Sequence, residues 1–279
     1  MGVRIFWGLL LGFVFLLFAL QSLPYVLFCI GCLHFAAQYE FASLVARGNR
    51  PRLVLHATVA TAVWLVAALA LAERVPLELA LVALMVLPIV YSMLAVRRYI
   101  EPGQHRRYLT LIKSLLFITL PMAFIPALLV WDSTLPYLLL LIGASWAADT
   151  GAIFTGKLTG RTPLAPQLSP KKTVEGAIGG ALTGGVAWMI TVLWYPLNPS
   201  SIMAQAALPQ WVVVLLAFLV GTGLSVIGMF GDLTFSLYKR EQQVKDYSSL
   251  IPGHGGVLDR CDSLLFVAPL LYLICLMVG

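Results

Sequence analysis

The chain has 279 residues and a mass of 30.4 kDa; 60% of its residues are hydrophobic, only 11% are charged, and the mean hydropathy is +0.92. Soluble domains carry about 25% charged residues, and one core of this size could not enclose so much apolar side chain, so a water-soluble globular protein is excluded. The net charge of +6 and pI near 9.3 do not indicate nucleic acid, because the basic residues cluster in the connections between apolar runs.

Lipid leaves no water to satisfy the backbone, so a run of about 20 apolar residues must be a helix. About nine such runs can be drawn, with cores at 5–21, 24–46, 53–73, 76–96, 109–131, 134–153, 174–195, 209–230 and 262–278. The first follows Arg4 and is not followed by a small-x-small cleavage site, so it reads as a retained span rather than a signal peptide. The second contains Cys29, Cys32 and His34, the spacing of a metal half-site without a second half, and also Glu40. Helix packing is the expected role for this group, with Glu40 and the third span's His56 satisfied by neighbouring helices. Cys29, Cys32, Cys261 and Cys275 all lie in or beside apolar runs and suggest no disulfide framework.

Pro88, Pro121, Pro126 and Pro136, in the fourth to sixth spans, are expected to kink or begin helices. Segment 97–113 is basic with interleaved Tyr99, Tyr108 and Leu109, as in a surface segment resting on anionic headgroups. From Gly151 to Lys157 the chain fits G-x-x-x-x-G-K but lacks the following Ser or Thr and a preceding strand, so no P-loop is expected. Gly176, Gly180 and Gly184 recur every four residues in the seventh span, a pattern for close helix contact.

With the N-terminus cytoplasmic, all of the 18 Lys and Arg residues except Arg74 fall on cytoplasmic segments, as the positive-inside rule requires. The expected fold is therefore all-α: a polytopic integral membrane protein of about nine transmembrane helices. Residues 1–130 form about five N-terminal spans, and residues 131–279 form a catalytic region of about four spans with cytoplasmic motif loops.

Polar residues concentrate in two stretches of that second region, where their cost beside lipid calls for a function. One runs from Asp149 through Gly156, Lys157 and Gly160 to Ser169, Lys171, Lys172, Thr173 and Glu175. The other runs from Gly231 and Asp232 past Lys239, Arg240, Lys245 and Asp246 to Asp259, Arg260 and Asp262. By the derived topology all these helix ends face the cytoplasm and can form one site. Carboxylates beside cations and backbone-exposing glycines suit a Mg²⁺–polyphosphate complex. Ser169 followed by Pro170 has the form of an N-cap and first helical residue, so the free N–H groups of the seventh span would face an anion beside Lys171 and Lys172. The Gly253-His254-Gly255-Gly256 segment is either an N–H-rich turn that wraps phosphate or a plain loop. Asp259 and Asp262 are three apart and share a helix face, where they could hold one metal; alternatively Asp262 pairs with Arg260 or Lys239.

The stretch Ser236-Leu237-Tyr238-Lys239-Arg240, then Lys245-Asp246, then Pro252 to Gly256 and Asp259-Arg260-Cys261-Asp262 resembles the motif of the phosphatidate cytidylyltransferases, the CDP-diacylglycerol synthases. Asp149-Thr150-Gly151-Ala152 and Ser169 to Gly176 resemble that family as well, so the likeness covers roughly residues 145–262. Tyr238, Cys261, Ile153 and Lys157 depart from the family pattern without removing a carboxylate or cation from the site. The resemblance implies transfer of CMP from CTP to phosphatidate, giving CDP-diacylglycerol and pyrophosphate. It also implies Mg²⁺, with or without a second cation, a cytoplasm-facing cavity within the bacterial inner membrane, and a homodimer.

Under this resemblance Asp232 and Asp259 hold the metal, assisted by Asp262. Ser169, Lys171, Lys172 and Thr173 hold the nucleotide phosphates, with Lys245, His254, Gly255 and Gly256 lining the substrate site. Lys239, Arg240 and Arg260 hold the phosphatidate headgroup or the leaving pyrophosphate. Asp149 and Glu175 orient the basic residues or bind the cytosine amino group. The rival readings are a CTP-using polyprenol or phytol kinase, a cytidylyltransferase for a different lipid phosphate, and a transporter.

Overall fold

The structure is a computed structural model and describes residues 23–46, 50–72, 113–129, 134–194, 208–251 and 255–278. The first and fourth expected spans, Pro88, His254 and nearly all of segment 97–113 lie outside the described residues. Among the described residues, five helices are long and apolar enough to cross a membrane: Pro24–Leu44, Leu53–Leu71, Pro136–Thr159, Val174–Trp194 and Gln210–Glu241. Two compact units divide the chain, one of Met1–Asp132 with Gln242–Cys261, the other of Ser133–Glu241 with Asp262–Gly279.

In the first unit, α1 (Leu23–Ala46), α2 (Arg50–Leu71) and α3 (Leu120–Leu129) pack on one another, and α3 is preceded by a π-helical turn at Leu115–Thr119. That turn adjoins Pro121, whose ring would crowd the carbonyl four residues back in a regular α-helix; the wider turn, in which the Leu120 N–H reaches the Leu115 carbonyl, relieves the clash. Fully buried Ala37, Ala57, Ala60 and Ala68 allow close approach of α1 and α2.

Polar side chains complete this interface. His34 Nδ1 lies 3.1 Å from Thr61 Oγ1 and its Nε2 lies 3.1 Å from Thr119 Oγ1. Gln38 donates to Thr119 Oγ1 at 2.8 Å and to the Ser114 carbonyl at 3.2 Å, while His56 Nε2 sits 3.2 Å from Gln38 Oε1. His34 also stacks on Trp64 at 5.5 Å. His34 and His56 are thus held within the helix bundle, as expected, and no group of three His, Cys, Asp or Glu suited to a metal occurs among the described residues.

The second unit is built around α6 (Val174–Trp194). A continuous span runs from α4 (Thr134–Ile142) through a π-helical turn at Gly143–Ala147 into α5 (Ala148–Thr159), and α6 packs against α5, that turn and α7 (Gln210–Glu241). A Cβ on Gly180 would stand 2.6 Å from the Ala148 carbonyl, and one on Gly176 would stand 2.9 Å from that of Ala152, so the glycine pattern marks close contact with α5. Trp188 Nε1 donates to the Leu140 carbonyl at 2.7 Å. The last helix, α8 (Leu258–Val278), begins in the first unit and ends in the second.

Two helices run past their apolar cores. The sixth span continues from 153 to Thr159, so the stretch from Gly151 to Lys157 is helical and forms no phosphate loop. The eighth continues from 230 to Glu241, because its next three turns carry polar residues that find partners in the fold. The all-α expectation holds for the spans. Between α5 and α6, however, the chain forms a small antiparallel hairpin of β1 (Pro163–Ala165) and β2 (Ser169–Thr173).

Candidate active site

The hairpin corrects the expected helix start at Ser169 and Pro170. These residues are strand, and α6 begins at Val174, where Thr173 Oγ1 accepts the Gly176 N–H at 3.1 Å as a true N-cap. A strand fits here because the backbone of its neighbour pairs with it: Pro163 stands opposite Thr173 and Ala165 opposite Ser169, and the Val174 N–H reaches the Thr162 carbonyl at 2.9 Å. Glu175 closes the base of the hairpin by accepting the N–H groups of Arg161 at 3.1 Å and Thr162 at 3.2 Å. At the other end Arg240 Nε donates to the Leu168 carbonyl at 3.2 Å, so the C-terminus of α7 holds the hairpin turn.

Strand geometry sends adjacent side chains to opposite faces. Lys171 is exposed, whereas the half-buried Lys172 forms a salt bridge with Asp232 Oδ2 on α7. Asp232, Ser236 and Lys239 fall at i, i+4 and i+7 and therefore share a face of that helix. The Ser236 hydroxyl donates to Asp232 Oδ1 at 3.4 Å, and Lys239 is only 8% exposed. On α8, Asp262 is 7% exposed, accepts the Ser263 N–H at 2.8 Å, and lies within electrostatic reach of Asp232, Lys239 and Asp149. Gly231 admits the α8 backbone, since a Cβ there would stand 2.8 Å from the Asp262 carbonyl.

The second unit thus gathers Asp149, Lys172, Asp232, Ser236, Lys239 and Asp262. Carboxylates gathered around the buried Asp262, with Asp232 and Asp149 partly exposed, repel one another unless cations neutralise them. Lys172 and Lys239 supply part of that neutralisation. The oxygen-only donor pair of Asp232 and Asp262 fits Mg²⁺, which takes one or two carboxylates and completes its shell with water and phosphate oxygens.

Asp259, in the first unit, has a different environment. Its Oδ2 accepts the N–H groups of Tyr247 and Gly256, each at 2.9 Å, and so closes the turn that precedes α8. Gly255 adopts φ +85°, the left-handed region that glycine tolerates best. The Gly256 N–H is directed to Asp259, so this end of the glycine segment organises a carboxylate rather than presenting an open nest. Lys245, Asp246 and Arg260 are exposed.

Glu40 is satisfied within the fold, as expected, but by the start of α8 and the turn before it rather than by helix faces alone. It is 4% exposed and accepts hydrogen bonds from Ser248, Val257 and Leu258, in and just after the motif turn. The signal available in the sequence was a lone carboxylate inside an apolar run.

Comparison with known proteins agrees with the motif likeness. The model of the cytidylyltransferase family matches residues 2–278. The chain belongs to the cytidylyltransferase family. Among curated relatives, the phosphatidate cytidylyltransferase of Synechocystis is 42% identical over 137 residues, 48% of this chain and 41% of the relative. That of Aquifex aeolicus is 40% identical over 138 residues, covering 50% and 46%, and that of Bacillus subtilis is 42% identical over 127 residues, covering 46% and 42%. In these comparisons the matched part of this cytidylyltransferase-family chain spans somewhat less than half the length of each relative.

Proposed function

We propose that the protein transfers CMP from CTP to phosphatidate, producing CDP-diacylglycerol and pyrophosphate. The observation that carries this reading is the cluster of Lys172, Asp232, Ser236, Lys239 and Asp262. It combines hard oxygen ligands with ammonium groups in one partly buried place, on residues that the family motif contains.

In the proposed reaction an ionised phosphate oxygen of phosphatidate forms a bond to the α-phosphorus of CTP. The bond from that phosphorus to the bridging oxygen of the β-phosphate breaks, and pyrophosphate leaves with the electron pair. A phosphate monoester is already largely ionised near pH 7, so the protein need supply no base. Its work is alignment and charge neutralisation. Mg²⁺, when bound, would neutralise charge on the nucleotide phosphates.

Asp232 and Asp262 are the proposed metal-holding carboxylates of the second unit, and Asp259 is that of the first. Lys172 and Thr173, with Lys171 and Ser169, serve the nucleotide phosphates. Lys239, Arg240 and Arg260 serve the phosphatidate headgroup or the leaving pyrophosphate. Lys245, His254, Gly255 and Gly256 complete the substrate residues, and Asp149 steadies the lysines. The protein would be a multi-pass membrane enzyme of about nine spans, with its N-terminus and active site cytoplasmic in a bacterial inner membrane, and it would act as a homodimer.

The deciding experiment gives purified full-length protein in detergent CTP, phosphatidate and Mg²⁺. Stoichiometric pyrophosphate and CDP-lipid are expected. Release of CDP with a newly phosphorylated lipid would overturn the proposal in favour of a CTP-dependent kinase.

A further inference from the structure

We propose that Glu40, more than 200 residues before the groups it binds, is a positioning residue that sets the orientation of Asp259 by holding the turn before α8. This rests on the proposed function for its kinetic consequence, although not for its structural one. Glu40 Oε1 accepts the Ser248 hydroxyl at 2.6 Å and the Val257 N–H at 3.0 Å, and Oε2 accepts the Leu258 N–H at 3.0 Å.

A helix leaves its first N–H groups without internal partners and carries partial positive charge there, so a buried carboxylate is well placed. Asp259 reaches back from the first turn of α8 to the Gly256 N–H, as in half of a capping box, and also takes the Tyr247 N–H. Two carboxylates therefore divide the consecutive amides of Gly256, Val257 and Leu258 between them. If Glu40 released its pair, those amides would seek other acceptors, and Asp259 already accepts the adjacent Gly256 N–H.

Two further contacts make the arrangement specific. Phe41, beside Glu40 on α1, packs on the buried Tyr247 with ring centroids 6.2 Å apart, so α1 grips the turn at both ends. A Cβ on Gly256 would stand 2.5 Å from Glu40 Oε2, so the turn accepts the carboxylate only because that residue is glycine. Bonds from charged acceptors to backbone N–H groups are also the strong kind, which suits a residue that must hold a turn against thermal motion.

The test uses full-length protein in detergent. Glu40→Gln keeps the size of the side chain but presents an amide donor where three donors converge. Expected results are at least tenfold faster hydrogen exchange at Val257 and Leu258, and a kcat at least tenfold lower with KM for CTP changed less than threefold. Gly256→Ala, which presses on the same carboxylate but is also a proposed substrate residue, should speed exchange equally, and Ser248→Ala should give a smaller version of both the exchange and the kcat change. Wild-type exchange in folded Glu40→Gln and Gly256→Ala, with wild-type kcat in Glu40→Gln, would overturn the inference. If wild-type protein makes no CDP-lipid, the proposed function fails, while the exchange measurement still decides the role of Glu40. Should Glu40→Gln fail to fold, exchange and kcat in Ser248→Ala, with exchange in Gly256→Ala, decide it.

Discussion

Asp232 stands between a cation and another carboxylate, which makes it the residue whose charge the site can least lose. Lys172 pairs with it from the hairpin, Ser236 donates to it from one turn later, and Asp262 lies within its field. Asp232→Asn should lower turnover more than about 100-fold, the scale of losing a positioned electrostatic contributor, with the thermal transition retained; activity above a tenth of wild type would remove it from the metal role. The same limit applies to Asp259→Asn. Lys172→Met leaves two neighbouring carboxylates short of a cation, and because the pair is only partly buried the cost should be about 1–3 kcal/mol. Thermal unfolding with and without added Mg²⁺ would measure it, the ion restoring part of the loss.

At the scale of elements, α6 organises the second unit because its small residues let α5 and α7 approach. Gly180→Ala places a methyl group against the Ala148 carbonyl and should destabilise by about 1–3 kcal/mol, the usual cost of overpacking a fitted contact. A thermal transition no lower than wild type would show that α5 and α6 yield more readily than their spacing suggests. The π-helical turn before α5 makes the opposite case. Ser145 there is 1% exposed and its hydroxyl has no hydrogen-bond partner among the described residues. Ser145→Ala should therefore leave the melting temperature unchanged or raise it, since it removes a desolvated polar group at little packing cost. The hairpin was not legible because its strands are short and half polar, and Ser169-Pro170 is equally well formed as a helix start. What decides for strand is pairing with Pro163 and Ala165, together with the Glu175 carboxylate on the amides of Arg161 and Thr162.

For the molecule as a whole, the asymmetry of basic residues is the ground for the proposed cytoplasmic side of the chemistry. Cysteines introduced at Gln167 in the hairpin turn and at Gln243 after α7, in a background lacking Cys29, Cys32, Cys261 and Cys275, should react with an impermeant maleimide in inverted vesicles and not in intact spheroplasts. The reverse pattern would invert the topology and place the substrate-binding residues away from the nucleotide pool. Both positions are exposed, so failure to react reflects sidedness rather than burial.

The sequence by itself determined the solvent, the helical class and the residues of the motif. Hydropathy over 20 residues is a local property, and the family pattern is carried by residue types at fixed spacing. It placed α1 and α6 within a residue or so of where the structure has them. Helix ends that continue on polar residues escaped it: Asp232, Ser236 and Lys239 extend α7, with Lys172 paired to Asp232 and Asp262 in the field of Asp232 and Lys239. The opposite directions of Lys171 and Lys172, the close fit of Gly256 against Glu40, and the grip of Glu40 on Ser248, Val257 and Leu258 belong to tertiary structure alone. Each depends on groups far apart in the chain, whose meeting is fixed by packing and by the need of every buried donor for an acceptor.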